Sequence, residues 1–369
     1  MRHVHSPCVR LDWQARLAAL FLPLIHVSRP SRACPVELVV RLAGVMAALR
    51  CSLTHAFQRL RLPLSLESVR KAWRMALLSP EARLQLLQGS LAGWTTRLSK
   101  SRRQRGWDVA VDLVHEPFYG KTSAELFRGQ FKQGTRRFWS TATAAVVHRG
   151  ERFTLAITSV RTNQMVEVLE ALWPQLEALH LRIRRLLLDR GFYSAKVVRW
   201  LQARQIAFLM PMIRRGRRGT GTTPFFRRGR SGFARYQWRE RNHGGIVEAG
   251  VAMVPARDRR RGPRVYVYGG RPPGLDVCQA VYRRRFGIES SYRQCHQSLA
   301  WTTSPNADWR RLLMVLSFVI RNLWIVDQTA GRREPAEPAT YPMFLARVDL
   351  TSPHTSADPP ATPQLAEVT

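Results

Sequence analysis

Apolar positions recur at steps of three and four over most of the first hundred residues. Residues 38–49, 66–78 and 81–98 each carry them at helical spacing. Ser79-Pro80-Glu81 supplies the N-cap, the first-position proline and the first-turn acid of a helix start. A shorter helix over 53–60 is joined to 66–78 across Pro63. The pair reads either as a helix-turn-helix presenting Ser68, Arg70, Lys71 and Arg74 to a DNA groove, or as a small bundle with basic outer faces. Residues 1–100 are thus expected to be a helical, DNA-binding region, closed by a basic linker at 101–106.

Past the linker the period changes. Residues 107–114 (WDVAVDLV), 137–147 and 152–160 alternate or cluster β-branched and aromatic residues, with a hairpin expected at 148–150. A helix over 164–179 follows, then an apolar strand over 183–188, a helix capped by Ser194, and a second apolar strand over 206–212. Hairpin-linked strands followed by β-α alternation predict an α/β fold, a mixed sheet with flanking helices. Residues 213–271 are Arg- and Gly-rich with strand-like pieces at 232–239, 246–254 and 264–268, which predicts a β insertion. Helical period resumes over 276–299 and 309–327, and the Pro-, Ala- and Thr-rich stretch 329–369 reads as a disordered tail.

Charge alters this picture more than composition does. The chain has 369 residues, 45% of them hydrophobic, and a formal net charge of +34 carried mostly by arginine. Such a surplus self-repels unless a polyanion is near, and arginine suits bidentate phosphate contact, so nucleic acid is the expected partner. The rival explanation is an arginine-biased genome. The five cysteines form no CxxC pair and no zinc spacing, which suggests reduced thiols in a cytoplasm. Pro23 interrupts the apolar run 17–27, and the run 312–320 stops at Arg321, so neither a signal peptide nor a membrane span is expected.

The chemistry centres on residues 281–296, VYRRRFGIESSYRQCH. As one helix, this stretch would put Tyr282, Arg285, Glu289, Tyr292, Arg293 and His296 on one face. Taken alone, the stripe is better explained as a solvated face in which Arg285 and Arg293 flank Glu289 as i,i+4 ion pairs. Asp112 on the first strand and Asp189 at the end of the 183–188 strand become neighbours if the sheet has ribonuclease-H-like order, and Glu289 would face the same strand ends. Three carboxylates without histidine or thiol partners suit Mg²⁺ or Mn²⁺. Two such ions support in-line phosphoryl transfer.

The pieces VAVDLVHEPFYG (109–120), LLLDRGFYS (186–194) and YRRRFGIESSYR (282–293) resemble the DDE-type transposases of bacterial insertion sequences, in particular the insertion-sequence-four-like group. That group's signature is Y-x2-R-x3-E-x6-K. Tyr282, Arg285 and Glu289 match it, while His296 stands where the signature has lysine. The resemblance implies a DDE catalytic domain over 107–328 with the insertion before its last catalytic helix. It implies a triad of Asp112, Asp189 and Glu289 holding two divalent metals, and phosphate contacts from Tyr282, Arg285 and His296. It also implies an insertion aromatic that stacks on a flipped base, for which Trp238 is the candidate. Function would be cut-and-paste transposition in a bacterial cytoplasm, with double-stranded DNA as the partner, both terminal inverted repeats and target, and a homodimer on the paired ends. The alternatives are a catalytically silent DNA-binding descendant and a ribonuclease-H-like nuclease without strand transfer.

Overall fold

The computed structural model describes residues 13–24, 36–62, 64–75, 79–148, 151–217, 219–239, 245–256, 262–330 and 340–350. Nine strands among them form one sheet: β1 (Trp107–Pro117), β2 (Phe127–Lys132), β3 (Thr135–Val146), β4 (Thr154–Val160), β5 (Ile183–Leu188), β6 (Phe208–Pro211), β7 (Gly232–Arg239), β8 (Ile246–Val254) and β9 (Arg264–Gly269). Their order is β2-β3-β1-β5-β6-β9-β8-β7, with β4 also paired to β3. β1 runs antiparallel to β3 and parallel to β5, and β5 is parallel to β6. The path β4-β3-β1-β5-β6 is therefore the expected ribonuclease-H-like order. The three insertion strands are not a separate unit: β9 pairs with β6 along Phe208–Pro211 and carries the same sheet outward through β8 and β7.

The helices are α1 (Trp13–Phe21), α2 (Val36–Ala48), α3 (Leu53–Leu60), α4 (Leu66–Met75), α5 (Pro80–Gly89), α6 (Ala92–Thr95), α7 (Lys100–Arg105), α8 (Met165–Glu177), α9 (Ala195–Ala203), α10 (Leu275–Arg283), α11 (Gly287–Ser298), α12 (Ala307–Ala330) and α13 (Tyr341–Leu350). The chain divides into two compact units: residues 1–78, 297–303 and 339–369, and residues 79–296 with 304–338. In the first, α1, α3, α4 and α13 pack on α2. Ser52 caps α3, and Val69 and Trp73 bury the inner side of α4 while Glu67, Ser68, Arg70, Lys71 and Arg74 are exposed. In the second, apolar side chains of β1, β3, β5, α8 and α9 build the main core, among them Val109, Val111, Leu186, Leu169, Val197 and Leu201.

Three boundaries differ from the sequence reading. The segment 101–106 is not a linker: Ser99 caps α7, and Arg102 pairs with Glu151 of the sheet unit. The unit boundary falls at 78/79 instead, because α5 packs on β4 and α12, contacts that adjacency in sequence does not reveal. The tail expected over 329–369 contains α13, where Tyr341 and Phe344 are buried and the Tyr341 hydroxyl donates to Ser298 Oγ at 2.7 Å. Residues 331–339 and 351–369 lie outside the described residues.

Helix α12 is long and apolar enough to cross a membrane by length and composition, with 78% of that stretch buried in the fold. Its polar residues are matched individually. Arg321 donates to Gln294 Oε1 at 3.0 Å and to the Arg152 carbonyl. Asn322, with no exposure, donates to Ser90 Oγ and the Thr154 carbonyl at 3.0 and 2.9 Å and accepts from the Thr154 N–H at 3.0 Å. It thereby completes the backbone pairing at the start of β4. Asn322→Ala strands these buried groups and is expected to cost about 2–4 kcal/mol, measured by urea unfolding; a loss under about 0.5 kcal/mol would contradict the assignment.

Candidate active site

Side chains alternate across a strand, so Asp108, Asp112 and Glu116 share one face of β1 while Val109 and Val111 enter the core on the other. Each of the three acids meets cations. Asp108, buried at the start of the strand, binds Arg184 at 2.9 Å, Arg185 at 3.1 Å and Arg284 at 3.3 Å. Asp112 accepts from Arg285 Nη1 at 2.8 Å, and Glu116 pairs with His296 Nε2. Two arginines and the histidine come from the stretch around α10 and α11, which therefore lies against a row of acids spaced about 13 Å apart along the strand.

Asp112 and Asp189 meet by register. Val111 pairs with Leu188 across the parallel β1–β5 ladder, so the next residue on each strand is an aspartate. Asp189 leaves β5 as the N-cap of a short turn, its Oδ1 accepting the Gly191 N–H at 2.8 Å. Glu289 joins them through a single guanidinium: Arg285 Nη2 donates to Glu289 Oε1 at 3.3 Å while Nη1 holds Asp112. The Arg285 side chain is 9% exposed, Asp112 13% and Glu289 48%, so the bridge grades from buried to solvent. Burial pushes the Asp112 carboxyl up to about 6; Arg285 opposes that rise and the neighbouring Asp189 charge adds to it.

The stretch 276–299 is not one helix. A 3-10 turn over Arg284–Phe286 separates α10 from α11, so the stripe drawn from a single 3.6 period is re-aimed at its midpoint. Arg284 thereby reaches Asp108 while the next residue reaches Asp112. Tyr282 is buried with its ring 5.1 Å from Tyr266, and burial pushes its phenol up to about 12. Tyr292, also buried, shares a 2.7 Å hydrogen bond with Thr143, the residue paired with Asp112 on β3. Trp238 is half-buried on β7 with its ring edge-on to Tyr236 at 4.7 Å and tilted 5.6 Å from Tyr193, inside the aromatic packing of the sheet extension.

Carboxylate oxygens on adjacent strands, one with its charge disfavoured by burial and a like neighbour, are hard donors of the kind a divalent cation takes. Among the described residues no group of three His, Cys, Asp or Glu side chains stands ready to hold a metal; two of the acids are instead held by Arg285. The sequence reading missed Asp108 and Glu116 as members of the row. Their spacing of four from Asp112 on a strand was the available signal. A larger cleft of about 690 Å³ between β4, α5, α8 and α12 mixes Glu81 and Glu167 with Arg83, Arg161 and Arg311 and includes none of the three acids.

A family model described as "Transposase DDE domain" matches residues 114–323, more than half of the chain. The match contains Asp189 and Glu289 and begins two residues after Asp112. Comparison with curated proteins finds no match. Among solved structures, the chain is similar to a piggyBac transposase synaptic complex with hairpin DNA, at 10% identity and a TM-score of 0.49, over 92% of this chain and 70% of that one.

The raised carboxyl carries a pH signature. Asp112 holds its proton in the folded state to about pH 6, above its ordinary value, so its contribution to stability is greatest at low pH and falls as pH rises toward 6. A ¹³C titration of the Asp112 carboxyl is expected to show a midpoint near 6 that moves down in Asp189→Asn and up in Arg285→Ala. A midpoint that ignores Asp189→Asn would separate the two aspartates.

Proposed function

The chain belongs to the transposase DDE-domain family, and on that premise we propose that it binds the ends of a mobile DNA element, cuts them, and joins the freed 3′-hydroxyls to target DNA. Enzymes of this family in general cleave DNA and transfer strands, and DDE domains in general use divalent metal ions. The observation that carries the reading is the register-enforced pairing of Asp112 with Asp189, tied to Glu289 through Arg285.

In this reading Asp112, Asp189 and Glu289 would hold two Mg²⁺ or Mn²⁺ ions. When bound, such ions supply a lowered water or hydroxyl pKa and charge neutralisation at the leaving oxygen. The residues do the rest. The Asp189 turn fixes one carboxylate, the β1 ladder fixes the second, and the first turn of α11 presents the third. Arg285 holds the acids together against their mutual repulsion and keeps a positive charge beside the bond to be cut. His296, held by Glu116 where the signature has lysine, can still donate to a phosphate. The basic surplus supplies the sequence-independent part of DNA affinity. A homodimer is the assembly that paired ends require.

A duplex ending in the inverted repeats that flank the gene is expected to be nicked only with Mg²⁺ or Mn²⁺. Asp189→Ala should lower the nicking rate by about 10³-fold or more, the equivalent of several kcal/mol of transition-state stabilisation. Its affinity for the same duplex should stay within about threefold. Binding without nicking in the wild-type chain would favour the silent descendant. Nicking without 3′-end joining would favour the simple nuclease.

A further inference from the structure

Beside the acid row lies a cavity of about 470 Å³ whose walls include His148 and Arg152 from the β3–β4 connection and Arg283, Arg284, Gly287 and Ser290 from the α10–α11 turn. Among the described residues no aspartate or glutamate lines it. The nearby acids are already engaged. Asp108 carries Arg184, Arg185 and Arg284. Glu151 takes the Arg102 guanidinium and the Trp94 Nε1–H. Arg152 and Arg283 thus line a space that holds no carboxylate among the described residues, and Arg284 beside them shares one aspartate with two other arginines, so the cavity carries a positive surplus that an anion would offset.

The cavity is also built. Arg152 lies over Gly287, where an added Cβ would sit 3.0 Å from Arg152 Nε, so a side chain there would push the guanidinium by a few tenths of an ångström. The Arg152 carbonyl is fixed by Arg321 of α12, and Arg284 is fixed by Asp108. Asp108 is four residues from Asp112 on β1, about 13 Å, which equals roughly four base-pair rises of 3.4 Å. The same turn that lines the cavity carries Arg285 and, two residues after Gly287, Glu289.

We propose that Arg152, Arg283 and Arg284 form a subsite for a DNA backbone phosphate a few nucleotides from the scissile bond, and that a phosphate seated there braces the turn presenting Arg285 and Glu289. This rests on the reading of the chain as a DNA-cutting enzyme. The ligand is a phosphodiester, for which planar guanidiniums are the matching donors. Its capture links arrival of the substrate to the placement of the third catalytic acid.

The test is the salt dependence of affinity for a 30-base-pair duplex, read by fluorescence anisotropy. It compares the wild-type chain, the Arg152→Gln/Arg283→Gln variant, a charge-matched control with Arg97→Gln/Arg204→Gln, and Arg152→Lys/Arg283→Lys. The cavity variant should lose about one to two from the slope of log K against log salt and about tenfold in affinity at moderate salt. The control should lose less than half of that and the lysine variant should keep the wild-type slope, all with unchanged melting temperatures. A cavity variant that matches the wild type or the control overturns the proposal. So does inorganic phosphate raising the wild-type melting temperature, but not the variant's, while DNA binding is equal, since the site then serves free phosphate. Failure of the wild-type chain to bind any duplex would instead overturn the functional reading beneath it, and this proposal with it.

Discussion

One guanidinium bonded to two carboxylates fixes the geometry around which this fold is arranged. Arg285 is nearly buried, and so is the aspartate it holds. Removing either partner of such a pair leaves an uncompensated charge in a poorly solvated place, at a cost of about 3–5 kcal/mol. The α10–α11 turn therefore cannot drift from β1 without a large penalty, and Glu289 is carried with it. The interface between this turn and the strand is ionic where most helix–sheet contacts are apolar. An ionic contact can be re-paired, since a divalent cation or a phosphate offers each partner a substitute that an apolar side chain never could. The pairing holds the site firmly and leaves it open to exchange.

The pleat of β1 separates stability from chemistry. Its odd-numbered residues enter the main core and its even-numbered acids face the turn. The parallel ladder to β5 then sets the second aspartate beside the first, because a shift by one residue would send every side chain to the wrong face. Asp189 sits just past the carboxyl end of its strand, the usual place for ligand chemistry in open α/β sheets. Extension of the sheet through β9, β8 and β7 leaves this arrangement untouched, since the insertion pairs with β6, beyond β5.

Much of this was legible in the residues. The apolar runs over 183–188 and 206–212 mark buried parallel strands, and the insertion strands were visible from their Tyr and Val content set between Gly and Arg. What was hidden has physical causes. β2, FRGQFK, is polar and largely exposed along an edge, so it lacks the alternation that betrays a strand. The break at Arg284–Phe286 has no proline to announce it, and the glycine after it adopts ordinary helical geometry. One continuous helix was therefore the natural reading, and it obscured that consecutive arginines serve different acids. The start of α5 was clear from its Ser79 cap, but which unit it joins is settled by tertiary packing that no local pattern encodes. α13 was lost because proline- and alanine-rich flanks dominate its window.

The excess of arginine gains meaning from its placement. A biased genome would scatter cations over solvent-facing positions, where each is worth little. Here Arg184, Arg185 and Arg284 converge on one buried carboxylate, and a fourth, Arg285, bridges two others. Burying a guanidinium is expensive unless it is paired, and Arg185 and Arg285, the two that are largely buried, are both paired with carboxylates, which composition alone does not explain. At Asp108 the pairing is lopsided, three cations to one acid, on the same face of β1 that carries Asp112. The field of those cations offsets the repulsion a DNA backbone would otherwise meet on approaching three acids. A cluster of carboxylates by itself would reject a polyanionic substrate. The neighbouring arginines, fixed on the same strand and the same turn, let attraction and chemistry share one surface.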